Sequence, residues 1–262
     1  MKKLSTLPIL FSILLFGSCK KSAIEQSQSQ LKGSLSLADE GGTFLHDNSG
    51  VRISIENSDP LISTVSDYQG NFVLPNYPAS SFVLVYSKPG YGTYRQYFER
   101  DSKGKLSYWT LSGQVIVEAG SVIGPDASLG QKSTATISNL KARIIGDTLQ
   151  IRFNLSSPTS GQKTVELLTQ KDLPNISFTT IDKNRYNWHF MYPAQNGDNV
   201  FNWCLKCSEL CNHWVSGDVI YLTAYGESWY SSMYVDRLNN NNLVMPNMNT
   251  INTVTPASVV VP

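Results

Sequence analysis

Cys204, Cys207 and Cys211, followed at once by His213, bring the reactive side chains of this 262-residue chain closest together. The run reads Cys204-Leu205-Lys206-Cys207-Ser208-Glu209-Leu210-Cys211-Asn212-His213-Trp214. Three chemistries compete for it. In an exported protein two of the three thiols are expected to oxidise, because disulfides persist outside the reducing cytosol. A Cys204–Cys211 bridge would close a ring of about eight residues and contribute about 2.5 kcal/mol on the loop-entropy account. Cys207 with Cys211, or Cys204 with Cys207, are also available, and spacing alone does not choose among them. Alternatively, three thiolates and an imidazole are the four soft ligands of a closed tetrahedral zinc site. The third reading is inert thiols packed as small apolar side chains. A thioredoxin-type redox role would need its Cys-x-x-Cys at a helix start after a strand of a parallel sheet, and the pattern offers neither.

Elsewhere the reactive groups are dispersed. His46 falls in a polar loop, and His189 sits in a strand-like run between Trp188 and Phe190, the setting of a packed histidine rather than a base. No Gly-x-Ser-x-Gly, His-Glu-x-x-His or phosphate-cradling glycine loop occurs. The acids are scattered, so no carboxylate pair for glycoside hydrolysis stands out. The expectation is a protein that is not an enzyme and needs no cofactor. Aromatic residues are dense from Tyr186 to Tyr234. Most of them read as core, but Glu227-Ser228-Trp229-Tyr230-Ser231 follows a strong strand and predicts a loop. Trp229 and Tyr230 there are candidates to stack on a sugar ring or a partner protein.

The elements that must carry these residues are strands. Charged residues make up 16% of the chain against 41% apolar ones, while Tyr, Ser, Thr and Asn abound. That balance suits an exported β-protein. The formal net charge is +1, and it becomes −1 without Lys2 and Lys3; neither value provides the basic face that nucleic acid requires. Lys2 and Lys3 precede an apolar run, Leu4–Phe16, and then Gly17-Ser18-Cys19. The run is shorter than the ~20 residues that span a bilayer. With small residues before a cysteine, it resembles a bacterial lipoprotein signal over residues 1–18, with Cys19 carrying the lipid. Several acyl chains hold such a protein stably at a membrane. Residues 19–30 read as a flexible polar tether. The expected location is the cell envelope, lipid-anchored and facing the periplasm or the surface.

Alternation then predicts strands at Leu31–Leu37, Val51–Ile55 and Tyr91–Phe98, two strand-like runs at Thr64–Leu74 and Ser81–Tyr91 with Leu61–Ser66 leading into the first, and one or two more strands in Leu106–Glu118. In the Tyr91–Phe98 run, Tyr91, Thr93, Arg95 and Tyr97 fall on one face. Asp67 to Gly70 forms a tight turn that feeds Phe72 and Leu74 onto one face, with Gly70 supplying a positive φ. Residues 119–133, rich in Gly and Ser, read as a domain linker. Beyond it, Leu140, Ala142 and Ile144 alternate. A turn at Gly146-Asp147 follows, and then Leu149, Ile151, Phe153 and Leu155 alternate, the pattern of a hairpin. Weaker strands are expected at Val165–Leu168, Ile176–Ile181 and Asn187–Tyr192, and a short helical turn at Ser208–Val215. Asp218–Tyr225 is apolar on both faces and predicts a central strand. Ser231–Asp236 is expected to return beside it, and Leu243–Pro262 to form an edge strand and a tail. The fold class is therefore all-β, with two antiparallel β-sandwich domains at residues 31–118 and 134–262.

The stretch Thr64-x-x-Asp67-x-x-Gly70-x-Phe72, the proline-containing connection Pro75–Ser80, the aliphatic strand Phe82–Tyr86 and the ending Pro89-Gly90-Tyr91 resemble the carboxypeptidase regulatory-like domain. Gly50-Val51-Arg52-Ile53-Ser54-Ile55 and Gly33 stand where that family has a strand and a glycine. The resemblance covers Leu31 to Glu118. It implies a small transthyretin-like sandwich that serves as an accessory module without catalysis. Residues 134–262 are weakly similar to immunoglobulin or fibronectin type III domains. The functional expectation is a non-catalytic binding or scaffold module. The alternatives are a glycan-binding accessory protein, or a zinc protein built on Cys204, Cys207, Cys211 and His213.

Overall fold

In the computed structural model, the described residues are 30–118, 122–123, 128–158, 163–171, 188–204, 214–230, 232–250 and 254–262. All regular elements among them are strands. The first half begins with β1 (Leu31–Ser34), β2 (Leu37–Ala38), β3 (Arg52–Ile55), β4 (Ser63–Val65) and β5 (Asn71–Leu74). It continues with β6 (Phe82–Ser87), β7 (Tyr94–Arg100), β8 (Leu106–Thr110) and β9 (Gly113–Ile116). The turn before β5 forms as its residues dictate. Gly70 takes φ +86°, its N–H bonds the Asp67 carbonyl at 2.9 Å, and the Asp67 carboxylate accepts the Asn71 N–H at 2.8 Å. Phe72 and Leu74 consequently face inward, 3% and 0% exposed.

β5 does not pair with β6, however. It pairs antiparallel with β1, while β6 lies between β3 and β7 in the six-stranded sheet β4-β3-β6-β7-β8-β9. The Pro75–Ser80 connection thus crosses between the two layers. The core fills the space between them with Leu31, Ile53, Phe72, Leu74, Leu84, Tyr86 and Phe98 among its members. Phe82 and Phe98, cross-strand partners, stack at 4.8 Å and 4°. Burying side chains of this size contributes roughly 1.5–3 kcal/mol each, which is what holds the layers together.

Within residues 119–133, the described Val122–Ile123 and Leu129–Gly130 are paired strands. Val122–Ile123 form β10, parallel to β1, and Leu129–Gly130 form β11, parallel to β2. Ile123 and Leu129 are 1% and 0% exposed. The segment that leaves the first half is therefore stitched into it, because its few apolar residues fall at the positions the open sheet edge can bury.

The second half contains β12 (Thr136–Ile145), β13 (Thr148–Ser156), β14 (Lys163–Lys171), β15 (Trp188–Ala194), β16 (Gly197–Cys204) and β17 (Val219–Glu227). After these come β18 (Tyr234–Asp236), β19 (Asn242–Val244) and β20 (Ala257–Val260). The hairpin expected at Gly146-Asp147 is present, with Ile145 opposite Thr148. A bulge between Ser138 and Lys141 adds one residue, Asn139, in the left-handed region at φ 54°. It lets both Ile137 and Leu140 point inward despite their odd spacing. β16, which the sequence pattern did not mark, pairs with β13 from Thr148 to Leu155. The three-stranded sheet β12-β13-β16 packs over β15-β14-β17-β20, with Ile151, Phe153, Val165, Leu167, Ile220 and Leu222 between them. β17 is central and buried on both faces, as its sequence requires. The strand expected at Ile176–Ile181 lies outside the described residues.

One part of the chain ignores the boundary drawn at residues 119–133. Residues 228–249 leave β17, run along the first half and return. Tyr234 and Val244 belong to the first core, and Tyr234 meets Tyr94 edge-on at 5.4 Å. Asp236 accepts Arg95 Nη1 at 2.8 Å and the Tyr97 hydroxyl at 2.6 Å. The arm comes home where the Asn249 N–H bonds the Gly226 carbonyl at 2.8 Å. Tyr234–Asp236, expected to return beside β17, therefore pairs with Asn242–Val244 instead. The 134–262 unit gives up this arm to cover the outer face of β7. Tyr97, on that face, is 5% exposed. Tyr97 is thus buried on the face where Arg95 is half-buried and Glu99 exposed, while Tyr94, Gln96 and Phe98 are buried on the other.

Candidate functional site

Two distant loops meet beside the start of the arm. Asp39–Phe44 is a tight turn: the Gly42 N–H bonds the Asp39 carbonyl at 3.1 Å, and the Asp39 carboxylate accepts the Thr43 N–H at 2.8 Å. Gly42 has φ +87°, and a Cβ there would overlap the Trp229 indole. The missing side chain is thus the seat of the ring. The Trp229 N–H bonds the Glu40 carbonyl at 3.0 Å. Phe44 meets Tyr230 edge-on at 5.1 Å and 65°. Trp229 remains 55% exposed and Phe44 54% exposed, and Tyr230 is half-buried. The result is a braced aromatic surface open to solvent.

Buried carboxyls support this surface from below. Glu40 accepts the Ser133 hydroxyl at 2.9 Å and the Thr134 N–H at 2.8 Å through one oxygen. Its other oxygen accepts the Thr134 hydroxyl at 2.8 Å and lies 3.7 Å from Lys163 Nζ. Lys163 is 6% exposed, so the charge is desolvated and paired, as a buried lysine must be. Two residues before Trp229, the Glu227 side chain is fully buried and accepts the Ser228 N–H at 2.9 Å. Glu227 Oε2 has no hydrogen-bond partner among the described residues. Burial pushes the Glu227 carboxyl up to about 8, the Ser228 N–H pulls it down, and Glu166 on β14 adds to the rise. The Ser228 hydroxyl donates to the Gln131 carbonyl. The loop that presents Trp229 is therefore fixed to β2, β11 and β17 through groups that depend on one another.

A second feature lies at the far end of the arm. Arg95 is clamped between Glu56 and Asp236. Burial alone would lower its pKa; the Glu56 hydrogen bond and the surrounding negative groups outweigh burial and raise it. Burial and the Asp236 hydrogen bond hold Tyr97 well above the usual phenol range, so it remains a donor at every physiological pH.

Sequence reasoning selected Trp229 and Tyr230, and the structure brings them together with Phe44 and Gly42, which it did not select. Gly41-Gly42 beside a loop phenylalanine was the available signal, but only the fold shows which ring that glycine receives. Cys204 ends β16 and is not a free thiol. Cys19, Cys207, Cys211 and His213 lie outside the described residues. So does the helical turn expected at Ser208–Val215, except for its last two residues, Trp214 and Val215. Among the described residues no group of three His, Cys, Asp or Glu side chains is placed to hold a metal ion. His46 is exposed in its loop, and the His189 backbone pairs with Leu168 in the β14–β15 ladder. No described helix is long and apolar enough to cross a membrane.

No family model matches the chain, so the likeness of residues 31–118 to the carboxypeptidase regulatory-like domain stays a resemblance. No curated protein matches it either. Among solved structures, the chain is similar to a protein from Bacteroides uniformis provisionally described as carbohydrate binding, at 9% identity. That match covers 84% of this chain and 97% of the other, with a TM-score of 0.27. It is also similar to a DUF3823 family protein from Parabacteroides merdae, at 11% identity, 85% and 98% coverage and a TM-score of 0.27. A DUF3823 family protein from Bacteroides ovatus matches at 11% identity, 90% and 100% coverage and a TM-score of 0.26. At these identities and scores the likenesses assign neither ligand nor activity to this chain.

Proposed function

We propose that the protein is a non-catalytic, lipid-anchored binding module of the cell envelope, and that Phe44, Trp229 and Tyr230 form its saccharide-binding surface. One observation carries the reading: a tryptophan more than half exposed yet seated on Gly42 and fixed by its own backbone N–H. Large apolar rings held rigidly in water mark interaction sites, and an aromatic face offers contact area at little entropic cost. The C–H face of a sugar ring matches that surface, while its hydroxyls stay in solvent. A protein partner is the second reading, favoured by the continuity of the patch across three side chains.

The expected result for Trp229→Ala is at least a tenfold loss of affinity for the best ligand on a glycan array, with thermal unfolding little changed. Unchanged glycan binding would remove the assignment, and binding retained only by a protein partner would favour the second reading. The lipid anchor is read from Gly17-Ser18-Cys19. Cys19→Ala is expected to move the protein from the membrane fraction to the soluble one, because the acyl chains supply the membrane affinity. Retention of the variant in the membrane would exclude the anchor.

A further inference from the structure

Arg237 lies in the turn that joins β18 to β19, with its guanidinium 3.6 Å from the centre of the Trp109 ring. At that distance the planar group lies against the indole face. Its five N–H donors point outward from its edge, so stacking uses the face and leaves the edge available. Among the described residues, no acceptor takes that edge. Arg95 makes the contrast, since Glu56 and Asp236 both bind it.

Three cavities adjoin Arg237, two of them large and open. One, of about 360 Å³, is lined by Thr110, Leu111, Ser112, Gly113, Val235 and Asn241 besides the arginine. Apart from Arg237 its described lining is neutral, with hydroxyl and amide groups beside an apolar wall. The other, of about 440 Å³, contains Glu99 and Arg100, whose charges oppose one another. Among the described residues, the positive charge of Arg237 is therefore uncompensated on the first side. Leu111 is 48% exposed there, which gives the cavity one apolar surface next to its polar ones.

We infer that this groove binds a carboxylated sugar residue, a uronic acid within an oligosaccharide, with its carboxylate bidentate on Arg237 and its hydroxyls against Ser112 and Asn241. A guanidinium fixed in plane by stacking is preorganised for a planar two-oxygen anion. The neutral polar lining suits a hydroxyl-bearing ring, and Leu111 and Val235 suit its C–H face. The site is separate from the Trp229 surface, shares no residue with it, and stands or falls independently.

The test is calorimetric titration of the whole mature protein with trigalacturonic acid and with its methyl ester, which keeps the sugar and removes the charge. Wild type is expected to bind the acid at least tenfold more tightly than the ester at low salt, with the difference shrinking as salt rises. Arg237→Ala is expected to weaken acid binding by about ten- to a hundredfold and leave the ester within twofold. Arg237→Lys, which keeps the charge without the planar fork, is expected to fall between. Trp229→Ala is expected to leave the acid-to-ester ratio unchanged, whatever it does to glycan binding at the aromatic surface. Equal binding of acid and ester by wild type, or no binding of either, would overturn the inference. So would a ratio that both Arg237 variants leave intact. A glutamate-rich peptide that binds as tightly as the uronate and depends equally on Arg237 would reassign the groove to protein.

Discussion

Asp236→Ala is expected to lower the folding free energy by about 3 kcal/mol and to loosen residues 228–249 from the first half. Asp236 accepts Arg95 Nη1 at 2.8 Å, the Tyr97 hydroxyl at 2.6 Å and the Leu238 N–H at 3.2 Å. Its side chain is 10% exposed and that of Arg95 19%. Truncation leaves a desolvated phenol without an acceptor and a guanidinium paired only with Glu56. Removing one partner of a buried pair costs about 3–5 kcal/mol when water is fully excluded; the residual exposure places this case at the low end. Asp236→Asn keeps an acceptor for Tyr97 and is expected to cost about half as much. Urea denaturation measures the loss, and limited proteolysis reads whether the arm has become accessible. An alanine variant with an unchanged midpoint and a protected arm would show that Tyr234, Val244 and the Asn249 backbone bond hold the arm without the clasp.

Folding stability is expected to fall as pH rises from about 5 to 8, and Glu227→Gln is expected to flatten that slope. The folded Glu227 carboxyl titrates at about 8 against 4.5 in its ordinary state. A raised acid binds its proton more tightly in the folded chain than in the unfolded one. Below pH 4.5 both states are protonated and the contribution is fully present. Between 4.5 and 8 the unfolded chain releases the proton while the fold retains it, so stability declines. Above 8 both are ionised and the slope ends. The difference across the window is on the order of a few kcal/mol. Glu166 lies diagonally across the β14–β17 ladder, where Thr164 opposes Glu227 and Glu166 opposes Tyr225. Both glutamates are at most 1% exposed, so ionising Glu227 places its charge in a dry seam beside Glu166. The difference between wild-type and variant urea midpoints, measured from pH 5 to 9, isolates the effect from the histidines. Parallel profiles for the two proteins would show that Glu227 ionises without penalty. Because Ser228 and Trp229 follow directly, the same titration is expected to disturb the aromatic surface above pH 8.

The strands were legible because their signal is local. Leu149, Ile151, Phe153 and Leu155 alternate, and a pleated strand sends alternate side chains to opposite faces. Gly70 was legible because a turn of that shape needs a positive φ. β16 was not, since none of its residues is fully buried and its pattern is correspondingly shallow. The burial of Ile123 and Leu129 was not legible either, because composition measures average polarity, whereas these two are buried one at a time by strands far away in sequence.

By itself the sequence determined an all-β chain and a strand followed by Trp229 and Tyr230, and it raised the expectation of a leader over residues 1–18 ahead of Cys19. The tertiary structure alone decided that Gly42 seats the indole and that Phe44 joins it. It also decided that Asp236 clasps an arginine 141 positions away and that Arg237 lies on Trp109. The physical reason is range. Alternation and turn chemistry act over a few residues and are written in neighbours. A salt bridge or a stacked ring between distant segments depends on how two sheets pack, and no local pattern encodes that.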